Sequence, residues 1–166
     1  MAVTKTARDL LIVALQDLRD AESAWTERGH KLMDSAGAPL RSFLKADMAR
    51  SKAQSALLKD LLASLGEDEE GDDNIWLRAI LDDAARDTRS TATGPLLDTA
   101  LIGAFRKGKQ AERVSYETAL ALASRLELDE VADKIAECRD QESDADAELE
   151  AMLQATTREF EAADAD

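Results

Sequence analysis

Apolar side chains recur every three or four residues through most of the chain, which is the spacing of one face of an α-helix. The first such stripe ends at a Ser-Ala-Gly-Ala-Pro turn at 35–39, and Gly66 is placed to cap the second. The pattern predicts helices and no strands. The predicted helices span residues 4–34, 40–65, 74–89, 97–126 and 129–157, and a frayed tail follows at 158–166.

The lengths of the connections predict how these helices pack. Short links join the first long helix to the second and the third to the fourth, so each pair forms an antiparallel hairpin. Residues 66–96 separate the hairpins and include the short helix at 74–89. We therefore expect one all-α domain, residues 1–166: a four-helix bundle of up-down-down-up order whose long crossover carries a short extra helix. This is the ferritin-like arrangement.

Composition narrows the classes of partner. The chain has 21 basic and 35 acidic residues, a net charge of −14, which disfavours nucleic acid and anionic membranes as partners. A single cysteine, Cys138, excludes a disulfide within the chain. No leader pattern opens the sequence, and no apolar run approaches the roughly 18 residues that span a bilayer. We expect a soluble, cytoplasmic protein.

Acidic residues interrupt the apolar stripes at one level. Glu22, Glu112 and Glu142 lie near the middle of the first, third and fourth long helices, on the faces predicted to be buried. At the matching level the second helix carries Asp47, with Ser51 and Gln54 beyond it. Because mid-helix positions of antiparallel hairpins share a level, we expect these side chains to meet inside the bundle. Buried carboxylates need cations or shared protons, and iron or manganese is one solution.

Three segments resemble the YciF/YciE-type family of ferritin-like stress proteins. The run 17–22 is similar to that family's opening signature, 98–104 followed by Glu112 and Tyr116 is similar to its third long helix, and 140–146 is similar to its last. The resemblance implies a compact ferritin-like domain, often a homodimer, with a link to bacterial stress responses. It also implies a di-iron site like that of rubrerythrins.

The chain departs from that pattern at the site itself. Ferritin-like di-iron sites use two glutamates and two Glu-x-x-His pairs, but the only histidine here is His30, near the end of the first helix. Ala145 stands three residues after Glu142, although Asp146, one turn on, can supply oxygen. Lys109 stands where the family typically carries a glutamate, three residues before Glu112.

Two functions follow from these residues. In the first, the positive charges of Lys109 and Arg50 neutralise the buried carboxylates, no cofactor is bound, and the protein is a non-catalytic stress protein with a degenerate di-iron site. In the alternative, Glu22, Glu112 and Glu142 bind iron or manganese in an oxidase or peroxidase of the rubrerythrin class. Asp146 or Asp47 then serves as an auxiliary ligand.

The remaining candidates have plainer interpretations. His30 is expected at the surface, and Cys138 is expected in the core as a small hydrophobic side chain. Tyr116 lies one turn after Glu112 and is placed to donate a hydrogen bond to it. The acidic run 67–73 is expected to be an extended, solvated loop because its charges repel one another.

Overall fold

The computed structural model describes residues 3–163 as five helices. They are α1 (Ala7–Ser35), α2 (Ala38–Ser64), α3 (Ile75–Ser90), α4 (Pro95–Arg125) and α5 (Asp129–Ala163). The helix α5 continues past the predicted end at residue 157, so residues 158–163 are helical rather than frayed. This stretch is rich in Glu, Ala and Arg, which have high intrinsic helix propensity. Residues 164–166 of the predicted tail lie outside the described residues.

Local capping explains where the helices begin. Thr6 accepts a hydrogen bond from the backbone N–H of Asp9 at 3.0 Å, and Asp9 accepts one from the backbone N–H of Thr6 at 3.1 Å. This reciprocal pair satisfies donors that the first turn of α1 leaves free. Asn74 caps α3 with one hydrogen bond, which its side chain accepts from the backbone N–H of Leu77 at 2.8 Å.

The four long helices form a ring in the order α1, α2, α5, α4, and α3 packs on the outside against α1 and α4. Two apolar clusters fill the bundle. One surrounds Trp25 and Phe105, whose rings meet edge to face at 5.1 Å, and the other contains Leu15, Leu58 and Ile135. Along every long helix the two clusters are separated by buried polar residues, so a polar layer divides the core in two.

The acidic run 67–73 is a largely exposed segment without regular structure, as the sequence predicts, but it is also held against the bundle. It lies along α1, where Gln16 Nε2 donates to the carbonyls of Asp68 at 3.0 Å and Glu70 at 2.7 Å. Glu69 accepts a hydrogen bond from Lys59 at 2.7 Å and forms an ion pair with Arg19 at 2.7 Å. Basic side chains on the first two helices therefore offset the self-repulsion of the run and hold the crossover against the bundle.

Gly66 ends α2 as predicted. Its φ is +75°, and the backbone N–H of Glu67 reaches the carbonyl of Leu62 at 3.0 Å, which is the hydrogen bond of a Schellman motif. We expect Gly66→Ala to lower the free energy of unfolding by about 1 kcal/mol, because a β-carbon disfavours this left-handed conformation. Urea unfolding followed by circular dichroism measures the change.

Gly103 provides the matched control. It lies within α4 at an ordinary helical conformation, and a β-carbon there would meet nothing within 4 Å. Gly103→Ala should raise the free energy of unfolding by up to about 1 kcal/mol, since alanine favours the helix over glycine. If both substitutions shift stability in the same direction, the cap at Gly66 does not carry the effect.

Within residues 3–163, no helix is both long enough and apolar enough to cross a membrane.

Candidate functional site

The polar layer brings together residues from all four long helices. Glu22 of α1, Asp47 of α2, Lys109 and Glu112 of α4, and Glu142 of α5 are all buried there. The three glutamates that the stripes singled out do converge: one carboxylate oxygen from each lies within 4.8 Å of the other two. An interior position for so many charges demands partners, because an unpaired buried charge is costly.

Lys109 supplies the central partner. Its Nζ lies 3.0 Å from Oδ2 of Asp47, 3.0 Å from Oε2 of Glu112 and 2.8 Å from Oε2 of Glu142. An ammonium group has three N–H donors, which matches the three carboxylates in number. On another side, Nζ stands 5.0 Å from the centre of the Trp25 ring, within the range of a cation–π contact.

Two neutral side chains also donate hydrogen bonds to carboxyl groups of the layer. The Tyr116 hydroxyl donates to Oε1 of Glu22 at 2.8 Å, and Gln54 Nε2 donates to Oε1 of Glu142 at 2.9 Å. Tyr116 therefore binds Glu22 rather than Glu112, the partner expected from sequence spacing. The tyrosine lies on α4 one turn from Glu112, but its hydroxyl extends across the core to α1.

The environment separates the carboxylates into two kinds. Burial raises the pKa of Glu22 to about 8, and the charge of Glu142 adds to this effect. Burial also raises the pKa of Glu112 well above its ordinary value, although Lys109 opposes the shift. For Glu142 the same burial is outweighed by the Lys109 charge and its hydrogen bond, which lower the pKa. Burial therefore favours the protonated form of Glu22 and Glu112, whereas Lys109 favours the charged form of Glu142.

Lys109 remains charged in this setting. Burial alone would lower the pKa of its ammonium, but Asp47, Glu112 and Glu142 raise it well above the ordinary value. Lys109 and Arg50 thus bring two positive charges to this cluster of buried carboxyl groups.

Arg50 and Asp146 lie further from the centre than the sequence suggested. Arg50 donates to Oδ1 of Asp47 at 3.0 Å and is partly exposed, so it neutralises that one carboxylate from the edge of the layer. Asp146 is not brought together with the three glutamates. Its carboxylate accepts hydrogen bonds from two side chains of α4, Arg106 at 2.7 Å and Gln110 at 3.1 Å.

The donor set differs from that of a ferritin-like di-iron centre. Three carboxylates can hold a cation, but the ammonium of Lys109 lies within 3.0 Å of two of them and of Asp47. The single histidine, His30, is exposed on α1 and supplies no nitrogen ligand to the layer. The buried carboxylates therefore face a fixed positive charge supplied by the chain itself.

One functional contact was missed from the sequence, the stacking of Lys109 on Trp25. Trp25 follows Glu22 by three residues on the same stripe, so the sequence predicts that it lies near the polar layer. The sequence does not predict its contact with Lys109, because α4 and α1 belong to different hairpins. Cys138, as expected, is buried in the core, and burial raises the pKa of its thiol to about 12.

The hydroxyl of Tyr116 should contribute measurably to stability. We expect Tyr116→Phe to lower the free energy of unfolding by about 1 to 3 kcal/mol, because Glu22 loses a hydrogen-bond donor inside the core. Thr118→Val removes an exposed hydroxyl two residues further along the same helix and should change stability by less than about 0.5 kcal/mol. Chemical unfolding compares the two variants, and equal effects would contradict a special role for the Tyr116 hydroxyl.

Comparison with known proteins identifies the family of the chain and its fold. The family described as a domain of unknown function, DUF892, matches residues 6–162. The crystal structure of the E. coli stress protein YciF is similar with a TM-score of 0.89 at 23% identity, covering 93% of this chain and 99% of YciF. YcfI from Rhodopseudomonas palustris is similar at 0.84 and 22% identity, covering 88% of this chain and 94% of YcfI.

A more distant likeness identifies the fold. A ferritin-like diiron-carboxylate protein from Bacillus anthracis str. Ames matches with a TM-score of 0.71 at 13% identity, covering 90% of this chain and 99% of that protein. No curated protein matches the chain. These likenesses confirm the predicted ferritin-like helical bundle.

Proposed function

The chain belongs to the DUF892 family, the domain family of YciF, and we propose that it is a non-catalytic, stress-associated member with a degenerate di-iron site. In this proposal Lys109, with Arg50 at the edge, takes over the charge neutralisation that metal ions provide in diiron-carboxylate bundles. The protein then acts through association with partners rather than through chemistry at the layer.

The observation that carries the proposal is the position of the Lys109 ammonium. It lies within 3.0 Å of carboxylates from α2, α4 and α5, so one side chain ties three helices together. A metal bound by the same oxygens would have to displace a fully buried cation. A salt-bridged layer of this kind specifies which helices pack and in what register more than it adds to stability.

The alternative is a carboxylate-bound iron or manganese protein of the rubrerythrin-like class. It is favoured by the oxygens of Glu22, Glu112 and Glu142, which lie within 4.8 Å of one another. Oxygen ligands from several helices suit these metals. The two proposals differ in one measurable quantity, the metal content of the protein.

Metal analysis separates them. The full chain is produced in cells supplied with iron and manganese, and bound metal per chain is measured by mass spectrometry after gel filtration. We expect far less than one metal ion per chain. Stoichiometric metal that is lost in Glu112→Ala but kept in Glu117→Ala, an exposed position on the same helix, would overturn the proposal and support the alternative.

The stress association is supported by the likeness to YciF, which is named a stress protein. We expect the abundance of the protein in its own organism to rise under at least one applied stress, as measured by quantitative proteomics across a panel of stresses. Constant abundance across stresses would contradict the association. We also propose a homodimer, since the family resemblance implies one, and light scattering of the purified chain tests it.

A further inference from the structure

An apolar groove of about 450 Å³ lies outside the bundle, between the first half of α1 and the start of α3. We call it the α1–α3 groove. Its apolar wall is formed by Leu10, Val13 and Ile75, which are 45%, 48% and 79% exposed. Single exposed hydrophobic residues are ordinary, but several grouped in one concave patch indicate a contact surface.

One wall of the groove is a second apolar stripe of α1, which faces outward. Leu11, Leu15 and Leu18 point into the core, whereas Leu10, Val13 and Asp17 follow the spacing of a different helical face. Nothing within the described chain covers this face, because the crossover passes beside it on the way to α3. The sequence therefore contains apolar residues here that the fold itself does not use.

The walls of the groove are fixed before any partner arrives. The carboxylate of Asp17 accepts from Asn74 Nδ2 at 2.8 Å and from Trp76 Nε1 at 3.1 Å. These bonds clamp the first turn of α3 to α1 on both sides of Ile75. A preformed surface binds with less loss of conformational entropy than one that must order on contact.

The rim of the groove is acidic. Asp17, Asp72 and Asp73 border the apolar wall, and the last two are exposed. The chain as a whole has a net charge of −14. A surface that combines apolar side chains with carboxylates is complementary to a segment carrying apolar and basic residues.

We propose that the α1–α3 groove binds a basic amphipathic segment of a partner protein. The apolar side chains of that segment fill the space beside Leu10, Val13 and Ile75, and its lysines or arginines meet Asp17, Asp72 and Asp73. A second copy of this chain fits less well, since a two-fold contact would place the acidic rim against itself. The homodimer proposed above then uses another face.

The test uses a fluorescent amphipathic helix of about 18 residues with leucines on one face and lysines on the other. A matched probe carries glutamates in place of the lysines. Fluorescence anisotropy with the full chain should show binding of the lysine probe, weakening as salt rises, and no binding of the glutamate probe. Binding of both probes with equal affinity would overturn the proposed charge recognition.

Substitutions locate the binding surface. Val13→Ser with Ile75→Ser should weaken binding of the lysine probe at least tenfold, and both residues are exposed enough for the fold to persist. Leu96→Ser is the matched control, 55% exposed at the opposite end of the bundle, and should leave binding unchanged. If the groove variant binds as the wild-type chain does, the proposal is wrong.

A second pair of variants separates local from overall charge. Asp72→Asn with Asp73→Asn should weaken binding several-fold and flatten its salt dependence. Asp144→Asn with Glu148→Gln removes the same charge from exposed positions on α5, diagonally across the bundle from α1, and should have little effect. Equal weakening by both pairs would show attraction to net charge alone. If the Val13/Ile75 variant loses self-association, the groove binds a second copy of the chain. Either of these two results, equal weakening or lost self-association, would overturn the proposal.

Discussion

Replacing Lys109 by methionine should destabilise the protein by about 3 to 5 kcal/mol. Methionine keeps most of the length and apolar contact of the side chain but removes its charge. The carboxylates of Asp47 and Glu142 then lose the ammonium that lies 3.0 Å and 2.8 Å from their oxygens. Removing one partner of a buried ion pair leaves uncompensated charge, and that loss is in this range.

Lys107 provides the control for this prediction. It lies on the same helix two residues earlier and is exposed, so Lys107→Met should change the free energy of unfolding by less than about 0.5 kcal/mol. Urea unfolding of both variants and the wild-type chain measures the difference. An effect of Lys109→Met as small as that of Lys107→Met would show that the ammonium does not hold the layer together.

The pH dependence of this loss identifies its cause. The carboxylates left behind can reduce their cost by taking up protons, which becomes easier as the pH falls. The destabilisation of Lys109→Met should therefore be smaller at pH 5 than at pH 8. A cavity or packing defect at position 109 would cost the same at both pH values.

The fold was largely readable from the sequence because two simple signals agree. Apolar residues at helical spacing placed the helices, and the contrast between short links and the long 66–96 connection fixed their order. The level of Glu22, Glu112 and Glu142 followed from the same stripes, since a polar residue on a buried face remains on that face whatever it binds. These features depend on periodicity, which a single sequence displays.

The partners of the polar side chains were less predictable. Lys109 and Arg50 were both expected as neutralising charges, but only the structure distinguishes the central ammonium from the peripheral guanidinium. Asp146 was expected as an auxiliary oxygen ligand in the metal alternative, but its carboxylate binds Arg106, which α4 presents to it. Which of several nearby groups a side chain reaches depends on rotation and offset between helices, and helical spacing does not encode these.

The acidic run 67–73 illustrates the same limit. Its own composition indicates repulsion and extension, which is correct for the isolated segment. The compensating residues Arg8, Arg19 and Lys59 lie outside the run, on α1 and α2. Charge patterning within a segment therefore predicts what the segment requires, and the tertiary structure decides where that requirement is met.

The buried proton of Glu22 should make the protein less stable as the pH rises. In the fold the pKa of Glu22 is raised to about 8, chiefly by burial, whereas the ordinary value is 4.5. Between those values the folded chain holds a proton that the unfolded chain has released. Stability is then fully present below about pH 4.5 and is lost as the pH rises towards 8, by about tenfold in the folding equilibrium constant per pH unit.

Glu22→Gln tests this directly, because the amide resembles the protonated carboxyl and still accepts the hydrogen bond from Tyr116 but has no proton to lose. Its unfolding free energy, measured in urea at several pH values, should fall less steeply between pH 5 and 8 than that of the wild-type chain. Glu112 contributes a slope of the same sign in both proteins, since its pKa is raised as well. Glu27→Gln, at an exposed position of the same helix, should retain the wild-type slope. Parallel profiles for wild type and Glu22→Gln would contradict a raised pKa of Glu22 and show that this side chain is ionised inside the bundle.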